Sequence, residues 1–122
     1  MLPALKPFSE PGKFESSNVP PPDWIVADLS FISLAKALPP ALALARPGAT
    51  LVALIKPQFE VGPERVGKGG IVRDEAAREA ARAGVREFLV ASGWAVVGET
   101  VSPIAGGDGN VEFLIAARKD RT

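Results

Sequence analysis

Five consecutive apolar residues, Leu51-Val52-Ala53-Leu54-Ile55, end abruptly in Lys56-Pro57-Gln58-Phe59-Glu60. A run without alternation is expected of a strand buried on both faces of a parallel sheet. In open α/β sheets ligands sit at the carboxyl ends of the strands, so a lysine emerging there is a site candidate, the alternative being an ordinary exit lysine reaching solvent. A second such pattern precedes it, Trp24-Ile25-Val26-Ala27 ending at Asp28. Between the two, Ser33 stands as the N-cap of a helix with Leu34, Leu38 and Leu42 on one face and Ala41 and Ala45 beside them. Pro39-Pro40 kinks or splits this helix, and Pro47-Gly48 stops it. Strand, helix and strand make one βαβ unit with parallel strands and a right-handed crossover.

A chain of 122 residues suits one domain with a sizeable core. Hydrophobic residues make up 47% and charged ones 23%, and no apolar run approaches the ~20 residues of a membrane span. Cysteine and histidine are absent, which excludes disulfides, thiolate or imidazole zinc sites, cysteine nucleophiles and histidine bases. Proton transfer falls to Asp, Glu, Lys or a hydroxyl. Fourteen basic residues balance fourteen acidic ones, so only local clusters can argue for a polyanionic partner. The N-terminus lacks the succession of basic, apolar and small-residue regions of a secretory signal, which together with the missing cysteine favours the cytoplasm. Residues 1–22 are rich in proline and serine and close in Pro20-Pro21-Pro22, an extended leader ahead of the domain at 23–122.

After Lys56 an irregular stretch, Pro57 to Arg73, holds Gly62, Gly67, Gly69 and Gly70 with Arg65, Lys68 and Arg73. Its apolar members, Phe59, Val61, Val66 and Ile71, are expected to fold it back on the domain. Backbone amides beside glycines, with cations nearby, suit a phosphate or a nucleotide backbone; a flexible surface loop is the competing reading. Asp74 caps the next helix, which runs to about Ser92 with an inner stripe of Ala77, Ala81, Val85, Phe88 and Leu89, and Gly93 ends it. Arg78, Arg82 and Arg86 are interleaved with Glu75, Glu79 and Glu87, a solvated face laced by ion pairs. Trp94 to Val101 reads as a strand, Ala105 to Gly109 as a glycine-rich connection and Asn110 to Ala117 as the last strand, the two strands forming an antiparallel hairpin at one side of the sheet. Running antiparallel to its neighbours, the last strand begins level with their carboxyl ends. Asp28, Lys56 and Glu112 are therefore expected to converge.

Four runs, Ala27 to Leu34, Leu51 to Glu60, Val66 to Asp74, and Ser102-Pro103-Ile104 with Gly109 to Leu114, resemble the hemolysin A (TlyA) type of ribosomal RNA methyltransferase, from about Asp23 to the C-terminus. The resemblance implies an α/β, partial Rossmann-like fold of the FtsJ-like class, S-adenosylmethionine as cofactor, and ribosomal RNA as the partner methylated at a ribose 2′-hydroxyl. Of that family's Lys-Asp-Lys-Glu catalytic set, Asp28, Lys56 and Glu112 match the last three members. Cofactor contacts are expected from Asp28, Leu29, Ser30 and Phe31, and contacts to the RNA backbone from Arg65, Lys68 and Arg73. The family's S4-type RNA-binding domain, first lysine and glycine-rich cofactor turn have no counterpart in these residues, Lys6 and Lys13 standing in a different context. The sequence thus reads as the carboxyl half of a methyltransferase domain, with a non-catalytic fragment or interaction module as the alternative. Lys56, lacking the upstream lysine, is expected to stay protonated and act as an electrostatic clamp, with Asp28 and Glu112 orienting it and the substrate. The strand before Asp28 would be an exposed edge, covered by a second copy in a homodimer as the first expectation, with the leader or a separately encoded upstream half as alternatives.

Overall fold

The computed structural model describes residues 20–103 and 109–121. Most of the leader, Ile104 and most of the glycine-rich connection lie outside them. The elements follow in the order β1 (Trp24–Ala27), α1 (Leu34–Ala37), α2 (Pro39–Leu44), β2 (Thr50–Ile55), α3 (Glu75–Ala91), β3 (Trp94–Val101) and β4 (Phe113–Lys119). Three short 3₁₀ turns, Pro57–Phe59, Pro63–Arg65 and Lys68–Gly70, punctuate the stretch between β2 and α3.

The prolines divide the first helix as expected. α1 ends at Ala37 and α2 restarts with Pro39 in its first turn, where a missing backbone N–H costs nothing. The far end of α2 is held by Lys119, whose Nζ donates to the carbonyls of Leu42 at 3.0 Å and Ala45 at 2.7 Å. α3 begins at Asp74, whose carboxylate accepts from the Ala76 N–H at 3.2 Å, and it is followed by Gly93 with φ +86°.

The sheet order is β1-β2-β4-β3, with β1 and β2 parallel and β4 antiparallel to both of its neighbours. The expected hairpin forms at one side of the sheet, its second strand antiparallel to both neighbours and its first at the edge. Composition agrees: Phe113, Ile115 and Ala117 of β4 are buried, whereas β3 carries Gly98, Glu99 and Thr100 and a bulge between Val96 and Gly98, features an edge tolerates.

Helices α1, α2 and α3 pack on one face. Leu34, Leu38 and Leu42 join Ala81, Val85 and Leu89 over Leu51, Ala53, Ile55, Ile115, Ala117 and Trp94 in a single core. β2 departs from the both-faces burial its sequence suggests: Leu51, Ala53 and Ile55 are at most 1% exposed, while Thr50, Val52 and Leu54 are only half-buried. Among the described residues no helix covers that second face, which also carries the exposed side chains of Trp24 and Val26. No helix among the described residues is long and apolar enough to cross a membrane.

Candidate active site

Parallel pairing of β1 and β2, with Ala27 opposite Ala53, sets the two strand exits side by side. Asp28 leaves one and Lys56 the other, and their shared parity puts both on the same face. Lys56 Nζ lies 2.5 Å from Asp28 Oδ1 and donates to Ser30 Oγ at 3.4 Å. The lysine side chain is 15% exposed against 62% for the aspartate, so its stem is packed and its amine reaches the rim.

Two further contacts bind the same pair of exit loops. The rings of Phe31 and Phe59 stand 5.2 Å apart and tilted by 48°. Glu60 Oε2 accepts the Leu34 N–H at 2.9 Å. Ser33 occupies the N-cap position of α1 but makes no side-chain cap bond; the orphan donor is taken by a carboxylate from the neighbouring loop instead. Burial raises the Glu60 carboxyl above its usual range, and the bond from Leu34 opposes that shift.

Phe31 has φ +68° although it is not glycine, and its side chain is 90% exposed. A bulky residue held in the left-handed region, with the Phe59 ring as its packing partner and most of its surface in solvent, costs conformational energy for little burial, a combination that marks functional loops. Leu29, by contrast, packs against the core.

Glu112 stands one residue before β4. The last antiparallel pair is Ile55 with Phe113, so the next step of the register opposes Lys56 and Glu112, and directly opposed residues share a face. Glu112 is buried at 9% exposure, and its carbonyl accepts the Ser102 N–H at 2.8 Å. The structure thus brings Asp28 and Lys56 into contact and sets Glu112 level with them at the same end of the sheet.

The three loop cations differ in how firmly they are held. Arg65 Nη2 reaches Asp74 Oδ2 at 3.4 Å, and Arg73 Nη1 donates to the Lys68 carbonyl at 3.1 Å. The Lys68 side chain has no partner among the described residues. All three are exposed. The arginine row of α3 departs in part from the expected lacing: of the interleaved glutamates only Glu79 pairs with it among the described residues, Glu99 of β3 is the other partner, and Arg78 donates to the Val72 carbonyl at 3.0 Å. Arg86 meets Glu79 at 3.0 Å and Glu99 at 2.9 Å, and Arg82 meets Glu99 at 3.3 Å and lies over the Phe113 ring at 4.7 Å. Arg86 thereby holds the Glu79 carboxyl below its ordinary range.

Sequence reasoning missed Glu60, Glu99 and Asn110. Asn110 is fully buried: its Oδ1 accepts the Val72 N–H at 2.9 Å and its Nδ2 donates to the Gly70 carbonyl at 2.9 Å. The signal for it in the chain is its place in the run Gly109 to Leu114, two residues before Glu112.

A family model described as FtsJ-like methyltransferase matches residues 5–119. This chain belongs to the FtsJ-like methyltransferase family. The match begins inside the segment that composition sets apart as a leader. The chain is 46% identical over 96 residues to the Mycobacterium tuberculosis 16S/23S rRNA (cytidine-2′-O)-methyltransferase TlyA, covering 79% of this chain and 36% of that one. It is 41% identical over 93 residues to hemolysin A of Brachyspira hyodysenteriae, covering 76% and 39%. The chain therefore spans little more than a third of the length of these curated relatives. A crystal structure of a Lactococcus lactis protein named as a hemolysin superposes with a TM-score of 0.79 at 43% identity, covering 84% of this chain and 49% of that one. A SAM-dependent methyltransferase of Methanosarcina mazei, at 16% identity and a TM-score of 0.55 over 82% of this chain and 60% of that one, shares the fold.

Proposed function

We propose that this chain is the carboxyl part of a catalytic domain that methylates ribosomal RNA at a ribose 2′-hydroxyl. The observation that carries the reading is the Lys56–Asp28 contact at the paired strand exits, with Glu112 opposite Lys56 in the register. S-adenosylmethionine, when bound, supplies an electrophilic methyl group. Lys56, paired with Asp28 and bonded to Ser30, acts as an ammonium clamp that stabilises negative charge growing on the attacking oxygen as the hydroxyl proton leaves to water. Asp28 fixes the amine in place, and Glu112 orients the substrate from the opposing strand. The exposed Phe31 ring offers a stacking face beside the amine, of the kind an unstacked base or an adenine uses. Holding the oxygen in line supplies much of the rate, since alignment alone can be worth ~7 to 11 kcal/mol. Arg65, Lys68 and Arg73 contribute backbone-phosphate contacts. The setting consistent with such a substrate is the cytoplasm.

Asp28, Ser30 and the Phe31 ring fit one wall of a cofactor site, and Leu29 supports that wall from the core. No glycine-rich strand-to-helix turn occurs among the described residues to cradle the rest of the molecule. A second reading therefore stands beside the first: these residues alone do not bind the cofactor, and the chain acts only with further polypeptide or serves as an interaction module. The uncovered sheet face and the span of little more than a third of the relatives favour it. Among the described residues β1 is an edge strand, and a second copy pairing there would form a homodimer.

The test is a chimera in which this chain replaces the matching 96 residues of the Mycobacterium tuberculosis relative. Methyl incorporation into ribosomal RNA is expected, and Lys56→Ala is expected to lower its rate ~10²- to 10³-fold. An unchanged rate would remove Lys56 from the mechanism.

A further inference from the structure

Asn110 stands out because a fully buried side-chain amide bonds two points of a loop, exposed Gly70 and buried Val72. The stretch from Val66 to Arg73 turns through Gly69 and Gly70 at φ +77° and +79°, a path only glycine follows without strain. It closes on itself through the Gly67 N–H to the Ile71 carbonyl at 2.8 Å. That path takes the Gly70 carbonyl and the Val72 N–H away from any strand partner. The Asn110 amide accepts from Val72 and donates to Gly70, both at 2.9 Å, so it does for this loop what the peptide group of an adjoining strand would do. The requirement for one donor and one acceptor at that reach selects asparagine. Aspartate lacks the donor, serine is too short and glutamine is one methylene too long.

The anchor point is informative. Asn110 is two residues from Glu112, and the register sets Glu112 against Lys56. On the other side of the latch the loop carries Lys68 and Arg73, with Arg73 bonded to the Lys68 carbonyl. We propose that Asn110 is a positioning residue that fixes the cationic loop at a set distance from the Asp28–Lys56–Glu112 rim, so that phosphate contacts made by Lys68 and Arg73 register the RNA on the reacting centre. This rests on the RNA-methylating reading above and adds to it the element that couples backbone binding to the rim.

The experiment uses the 122-residue chain and fluorescein-labelled oligocytidylate RNA, with anisotropy measured across a salt series. The wild type is expected to bind with a negative slope of log affinity against log salt. Asn110→Ala is expected to flatten that slope by about one to two units, as much as the double variant Lys68→Ala/Arg73→Ala, and the triple variant is expected to lose nothing more. Asn110→Asp keeps the acceptor and loses the donor, and serves if the alanine variant fails to fold. Amide exchange supplies the second readout: the Val72 N–H should lose protection in Asn110→Ala and keep it in Asn110→Asp, with the β2 and β4 amides unchanged. A wild-type slope in both Asn110 variants would overturn the proposal while leaving the RNA reading intact. A wild type that binds with no salt dependence would overturn the RNA reading and the proposal together.

Discussion

At Lys56 the packing of the stem and the contact of the tip separate two effects of one side chain. The side chain is mostly buried while the amine meets Asp28 and Ser30 at the rim. Lys56→Met keeps much of the stem and deletes the charge. It is therefore expected to leave the thermal midpoint nearly unchanged while abolishing most methyl transfer in the chimera, a split readable by melting and by methyl incorporation on the same preparation. Glu60 gives a second residue-level expectation, with its sign set by linkage. Its folded-state pKa lies above the ordinary 4.5 because burial disfavours the carboxylate. As pH rises past 4.5 the unfolded chain loses this proton first, so stability falls until the folded-state pKa is passed, and the deficit then persists. Glu60→Gln keeps an acceptor for the Leu34 N–H without that charge. Denaturant unfolding should show it gaining on the wild type near about pH 7 and converging with it near about pH 4.

Among the elements, α3 shows how closely burial follows the 3.6-residue period. Leu89 is fully buried and its neighbour Val90 is 64% exposed. Leu89→Ala is expected to cost about 2–5 kcal/mol in chemical denaturation, and Val90→Ala to stay within about 0.5 kcal/mol. The inner stripe, the Asp74 cap, the proline split between α1 and α2 and the parallel β1–β2 pair were all legible in the sequence, because each is set by local chemistry or by a repeat a few residues long. The burial of β2 was not. Leu51 to Ile55 carries no mark of which face goes uncovered, and that depends on which helices are present. The position of β4 beside β2 agrees with a last strand running antiparallel to its neighbours, and the apolar run Phe113 to Ala117 suits it. Glu60, Glu99 and Asn110 escaped for one common reason: each bonds a group at least 13 residues away, and nothing in its own neighbourhood names the partner.

Among the described residues the molecule is a four-stranded sheet with helices on one face, β1 at one edge and a rim of Asp28, Lys56 and Glu112 at one end. If these residues need further polypeptide to complete the cofactor site, calorimetric titration of S-adenosylmethionine into the chain will show no saturable heat. Saturable binding would reject that reading. Pairing through the β1 edge predicts a dimer in sedimentation equilibrium, and Val26→Lys should return it to monomer by placing a charge on the exposed strand. The convergence of the rim residues was expected from the strand exits, and the structure supplies the contact between two of the three. Whether the three work as one unit is tested by methyl incorporation into ribosomal RNA in the chimera, comparing Asp28→Asn, Lys56→Ala and Glu112→Gln singly and together. Residues that act together show strong non-additivity, so each single variant should lose nearly as much rate as the triple. Losses that multiply independently, or a triple variant retaining the parental rate, would contradict the shared rim.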